Sequence, residues 1–78
     1  MQKVIIYTTP TCVYCKMAKE FFKENNIDYE EKDVLVDQKA AEEMIHKSGQ
    51  IGVPVIDVDG QIVIGFDKKT LSEILNIK

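Results

Sequence analysis

The dipeptide Asp59-Gly60 stands between two short β-branched runs and constrains this chain more than any other feature. Val53-Pro54-Val55-Ile56-Asp57-Val58 precedes it and Gln61-Ile62-Val63-Ile64 follows it. Asp-Gly supplies the two left-handed residues of a type I′ turn, whose twist matches that of adjoining antiparallel strands. An antiparallel hairpin is therefore expected. Gly65-Phe66-Asp67 closes it, and Asp67 is suited to cap a last helix whose inner face is Leu71, Ile74 and Leu75.

The first half of the chain is organised differently. Lys3-Val4-Ile5-Ile6-Tyr7-Thr8 is a β-branched and aromatic run that reads as a buried strand. Thr9-Pro10-Thr11 breaks it. From residue 12 to about 25 the pattern turns helical, with Val13, Met17, Phe21 and Ala18, Phe22 spaced by three and four. Asn25-Asn26 ends that helix, and residues 27–32 form a weaker strand. Asp37 is a reasonable N-cap for a second helix. Its inner face is expected at Ala41, Met44 and Ile45, and Gly49 is a natural residue to leave it.

The order is βαβ, then a helix, then ββα. Two strands joined by a helix lie parallel with a right-handed crossover. The hairpin adds two antiparallel strands, so a single α/β domain over residues 1–78 is expected, with a four-stranded mixed sheet flanked by helices. Tyr7, Phe21 and Phe22 are read as core. Ligands of such sheets sit beyond strand ends, where a crossover loop enters a helix. Here that place is Thr8 to Cys12.

Composition excludes several partners. The net charge of −3 argues against nucleic acid, and all ten cationic side chains are lysines. An anionic ligand must be held by point charges, backbone N–H groups or a helix end, since no guanidinium fork exists. No apolar run approaches the roughly 20 residues of a membrane span. The opening residues turn polar by Thr8, too early for a signal h-region, so a cytoplasmic protein is expected.

In a reducing compartment, a close cysteine pair is more often catalytic or metal-binding than a structural staple. Cys12 and Cys15 are three apart at a helix start, so their side chains share a face. That spacing suits the Cα separation of about 4.4–6.8 Å that a disulfide tolerates. Cys12 meets the unpaired N–H groups of the helix start, which favour negative charge, whereas Cys15 lies further in. Lys16 and Lys19 add positive charge nearby. Three other readings compete. A structural disulfide closing so small a loop contributes only roughly 2 kcal/mol before strain. A zinc site wants four ligands, and only Cys12, Cys15 and the single His46 are on offer, so no metal is expected. Two ordinary core cysteines fit poorly with the break before Cys12.

These residues reach a family. The stretch Ile6-Tyr7-Thr8-Thr9-Pro10-Thr11-Cys12-Val13-Tyr14-Cys15-Lys16 resembles the active-site segment of glutaredoxins. Gly52-Val53-Pro54 resembles their cis-proline motif, and Gly65-Phe66-Asp67 their C-terminal glycine-rich turn. The resemblance implies a thioredoxin fold with Cys12 as nucleophile and Cys15 as resolving thiol. It implies that Tyr14 lines the groove, that Pro54 is cis and faces the cysteines, and that the Val53 backbone pairs with an extended substrate. Asp67 and the last helix start, with Gly65 and Phe66 in the turn before it, are expected to hold the γ-glutamyl end of glutathione.

The implied function is a monomeric thiol–disulfide oxidoreductase reducing protein disulfides or glutathione mixed disulfides. Glutathione is its co-substrate, and no bound cofactor is expected. One alternative is a redoxin that is reduced by a thioredoxin reductase and serves ribonucleotide reductase. Another is an iron–sulfur carrier in which Cys12 and glutathione from two chains bridge a cluster. The chain departs from the family pattern at Val13, where proline is usual, and at Ile64, where the first of two glycines is usual. It also departs at Thr9 and Gln50, where basic residues are usual. Those two departures predict a weaker hold on glutathione, with Lys16 or Lys47 left to reach its glycine carboxylate.

Overall fold

Seven elements run along residues 3–76, the part that the computed structural model describes. They are β1 (Val4–Thr8), α1 (Val13–Glu24), β2 (Glu30–Asp33), α2 (Gln38–Ser48), β3 (Val55–Val58), β4 (Gln61–Ile64) and α3 (Lys68–Ile74). The strands form one mixed sheet in the order β2-β1-β3-β4. β1 pairs in parallel with β2 and antiparallel with β3, which pairs antiparallel with β4. This is the expected βαβ-α-ββα thioredoxin fold. Asp59 and Gly60 both take positive φ, 51° and 92°, as a type I′ turn requires.

Alternation along the strands divides the interior in two. Val4, Ile6, Ile56, Val58 and Val63 face α1 and α3, and pack with Ala18, Phe21, Phe22 and Leu71. Ile5, Tyr7 and Val55 face α2 and pack with Ala40 and Met44. Tyr7, Phe21 and Phe22 are core residues as expected. The half-buried Ile74 and Leu75 lie against the first of these clusters.

The boundaries differ from expectation where side chains or caps take a backbone out of its run. β2 starts at Glu30 rather than at residue 27, because Ile27 completes the exit from α1. The Ile27 amide donates to the Phe22 carbonyl at 2.8 Å, that of Asn26 to the Lys23 carbonyl, and Asn26 is left-handed with φ 56°. This is a Schellman closure, and it keeps Ile27 at the helix end, packed on the core. β3 starts at Val55, so Val53 and Pro54 lie ahead of the strand, and the bond joining them is cis as expected. On α1, Cys15 joins Ala18, Phe21 and Phe22 on the buried face, whereas Val13 is 68% and Met17 43% exposed.

α2 is rotated by about one residue from its expected face. Ala40 and Met44 are buried, and Ile45 is 42% exposed. The reason is polar. Asp57 points from β3 toward α2, and the Lys47 ammonium meets its carboxylate at 2.8 Å and the Tyr7 hydroxyl at 2.9 Å. Gly60 N–H donates to the other Asp57 oxygen at 2.7 Å. Burial works against charge on Asp57, but the Lys47 ammonium and the Gly60 N–H outweigh it and hold the carboxyl below its usual range. Gly49 leaves α2 with φ 75°, its N–H on the Ile45 carbonyl.

The Lys47–Asp57 pair is the most buried of the three ion pairs among the described residues. Lys47→Met leaves the Asp57 carboxylate without its ammonium and should lower unfolding free energy by about 2 kcal/mol, whereas Lys32→Met, at a more exposed pair, should lower it by less. Urea denaturation of both variants checks the contrast. Because the folded-state value of Asp57 lies below the unfolded one, its contribution is complete above about pH 4 and is lost as the pH falls through that folded value.

Candidate active site

β1 ends at Thr8, and the chain turns through Thr9-Pro10-Thr11 into α1. The Cys12 amide donates to the Thr9 carbonyl at 3.3 Å, which closes that turn. Cys12 is the N-cap of α1 rather than a residue of its first turn, with extended backbone at φ −84° and ψ 113°. Its sulfur accepts the Cys15 N–H at 3.1 Å, the bond that a serine or aspartate oxygen makes at an ordinary helix start. No acidic side chain stands in that first turn. The bond gives an acceptor to an N–H that has no partner within the helix.

The second thiol differs in kind. Cys15 is 1% exposed, whereas Cys12 is partly open, and both are free thiols. Burial first, and then the neighbouring Cys12 sulfur, push the Cys15 thiol up to about 12. The Thr9 backbone and Lys19 pull it the other way. A cavity of about 140 Å³ opens beside Cys12, lined by Thr9, Pro10, Thr11, Val13, Lys16 and Lys19.

Topology brings the other two expected segments to the same place. β3 is antiparallel to β1, so its entry at Val53-Pro54 lies at the end of the sheet where β1 finishes. β4 finishes there too, and the Gly65 N–H donates to the Pro54 carbonyl at 2.8 Å. Gly65 has φ 78°, which favours glycine. Pro54 is buried and Val53 half-buried. Tyr14, two residues after Cys12 and next to Cys15 in sequence, is 63% exposed. Phe66 packs edge-on against Phe21 at 5.8 Å, so its ring is tied to the core. Asp67 caps α3, one carboxylate oxygen on the Thr70 N–H at 3.1 Å and the other on its hydroxyl at 2.7 Å.

Other expectations change. Lys47 is held on the α2 face by Asp57 and Tyr7, so it does not reach the thiols. Thr9 stays beside Cys12, and the Gln50 side-chain amide lies toward the Gly52 carbonyl at 3.4 Å. His46 is exposed on α2. Sequence reasoning missed Glu31, which accepts from Lys19 at 2.8 Å and from the Thr8 hydroxyl at 3.0 Å. The signal was present in the parallel register: Glu31 pairs with Ile6 and so faces α1. It also missed that exposed apolar side chains collect at this end. Val13 and Tyr14 start α1, Leu35 and Val36 follow β2, Ile51 precedes β3 and Ile64 ends β4.

A family profile described as Glutaredoxin matches residues 4–63. The chain belongs to the glutaredoxin family. Members of this family are in general thiol–disulfide oxidoreductases. The match stops short of Gly65-Phe66-Asp67, next to the departure at Ile64. An uncharacterized glutaredoxin-like 8.6 kDa protein in the rubredoxin operon of Clostridium pasteurianum is 47% identical over 70 residues, which cover 90% of this chain and 93% of that protein. The crystal structure of a mutant thioredoxin-like protein superposes with a TM-score of 0.93 at 37% identity, covering 100% of both chains. NrdH-redoxin of Escherichia coli, a glutaredoxin-like protein with a thioredoxin-like activity profile, superposes with a TM-score of 0.78 at 25% identity, covering 97% of this chain and 95% of that one.

The contrast between the thiols has a direct readout. Brief iodoacetamide treatment of the reduced protein at pH 7 should place one adduct, on Cys12, at a rate at least about tenfold above that of Cys15. Peptide mass spectrometry locates the label, and Cys15 should take it readily only after unfolding.

Proposed function

We propose that this chain is a dithiol reductant of protein disulfides, with Cys12 as nucleophile and Cys15 as resolving thiol. The observation that carries this reading is the asymmetry of the pair: a partly open sulfur at a helix cap, hydrogen-bonded by the backbone of a buried partner. The Cys12 thiolate attacks one sulfur of a substrate disulfide. The second substrate sulfur leaves and takes a proton. Cys15 then gives up its proton and attacks the Cys12 sulfur, the remaining substrate thiol departs with that proton, and the dithiol has become a disulfide. Two electrons have passed to the substrate.

Proteins rather than small thiols are favoured as substrates by the exposed apolar side chains on the segments that meet at this end of the sheet, which offer apolar surface to a partner. The Val53 backbone is free to pair with an extended substrate segment, and Tyr14 flanks it. Glutathione remains a co-substrate, with Asp67 and the Gly65-Phe66 turn at its γ-glutamyl end and no cation at Thr9 or Gln50 for its glycine end. Reduction by a thioredoxin reductase is a second reading, favoured by the same missing cations and by the likeness to NrdH-redoxin. A reducing compartment, the cytoplasm, suits either reductant.

Trapping tests the roles. Cys12→Ser should abolish disulfide reduction, and Cys15→Ser should accumulate a mixed disulfide on Cys12 by intact mass. A Cys12→Ser variant with full activity overturns the assignment. Supplying the oxidised protein with glutathione or with a thioredoxin reductase system separates the two reductants. With a glutathionylated substrate, Thr9→Lys combined with Gln50→Arg should lower KM about fivefold, the effect of a rim contact near 1 kcal/mol. An unchanged KM rules out the missing cations as the cause of weak glutathione binding.

A further inference from the structure

Cys15 presents a problem that the dithiol reading leaves unsolved. A buried thiol must become a nucleophile in the middle of the reaction, at a moment when the sulfur beside it is tied to substrate. Cys15 lies on the buried face of α1, and Lys19 follows it by four residues, one turn along the same face. The Lys19 ammonium has a partner across the groove between α1 and the sheet edge. It is bound at 2.8 Å by Glu31 of β2, and the same Glu31 oxygen accepts the hydroxyl of the buried Thr8 at 3.0 Å. Lys19 also lines the cavity at Cys12.

We propose that Lys19, fixed by Glu31, is the positioning residue for the resolving step, its ammonium supporting negative charge on the Cys15 sulfur as that sulfur attacks Cys12. The inference rests on the dithiol reading above. The charged and titratable groups facing Cys15 are Cys12 at the cap and Lys19 one turn on. Those facing Lys19 are Glu31 and Tyr29, and Glu31 is also near Lys23. Asp67, at the same end of the sheet, spends both oxygens on Thr70.

The state of Cys12 decides when Lys19 matters. While Cys12 is free, its sulfur opposes loss of the Cys15 proton, both by its closeness to the Cys15 thiol and through charge. Once Cys12 is in a mixed disulfide, it carries no charge and both effects cease. Burial still opposes a thiolate at Cys15, and the Thr9 backbone and Lys19 still favour one. The electron pair of Cys15 forms the new bond to Cys12, the old bond breaks toward the substrate sulfur, and the Cys15 proton ends on that leaving thiol. Glu31 has two parts in this. It holds the ammonium in place, and its own charge offsets part of the effect.

The test uses 4,4′-dithiodipyridine, a neutral disulfide whose coloured thiopyridone is released once when Cys12 attacks and once more when Cys15 resolves the mixed disulfide. Stopped-flow absorbance follows both phases from pH 5 to pH 9. Lys19→Gln should slow the second phase about threefold at pH 7 and raise its pH midpoint by about half a unit, with the first phase within about twofold of wild type. Lys19→Arg should restore the wild-type midpoint. Glu31→Gln, which keeps an acceptor for Lys19 and removes the charge, should move the midpoint down. Opposite shifts from the two partners cannot come from general loosening of the fold. Unmoved midpoints, or an upward shift in Glu31→Gln, overturn the proposal. Failure of the dithiol reading looks different: by intact mass the wild-type product would then keep pyridyl adducts on its thiols instead of ending as an internal Cys12–Cys15 disulfide.

Discussion

Everything at the site hangs on β1 being paired along both edges, in parallel with β2 and antiparallel with β3. All five of its residues are buried. A strand so placed has one end where the neighbouring β3 must begin, and the hairpin then returns β4 to that same end. Three segments far apart in sequence, Thr9 to Cys12, Val53-Pro54 and Gly65 to Asp67, are thereby delivered to one rim. No side chain at the site has to bring them together. The sheet does so by polarity alone.

Within that rim the chemistry comes from a substitution of elements in an ordinary helix cap. Sulfur replaces oxygen as the capping acceptor, so the group that satisfies an orphan N–H is also the group that reacts. The partner thiol is placed by the helix period, one turn inward, where burial keeps it protonated. Two identical side chains three residues apart thus differ by the depth of the helix start. Lys19, Glu31 and Thr8 form the polar seam beneath, connecting α1 to β2 and β1.

Most of this was legible in the order of apolar runs and breaks. The turn at Asp59-Gly60, the thiol pair after Thr9-Pro10-Thr11 and the cap at Asp67 each depend on local chemistry, and each lies where the residue types place it. The failures share a cause. Ile45 was expected inside because it is apolar, yet α2 sets the Lys47 ammonium against Asp57 of the sheet. Ile27 was expected in a strand, yet its amide is needed to close a helix. Glu31 was expected only as one residue of a weak strand, and pairing with Ile6 aims it at α1, where Lys19 and Thr8 meet it. In each case a hydrogen-bonding requirement, local at Ile27 and between elements at the other two, overrode a pattern of apolar spacing.

The two margins of the sheet are unlike. β2 reads Glu-Glu-Lys-Asp, a row of charges along one outer edge. β4 reads Gln-Ile-Val-Ile along the other, with Ile64 exposed. An incoming strand from another molecule meets like-charge repulsion and desolvation at β2, which is how sheet proteins resist edge-to-edge aggregation. At β4 the protection is brevity, four residues between a tight turn and Gly65. Strand addition therefore has a preferred side, and a lengthened or flattened β4 is where this chain becomes vulnerable to self-association.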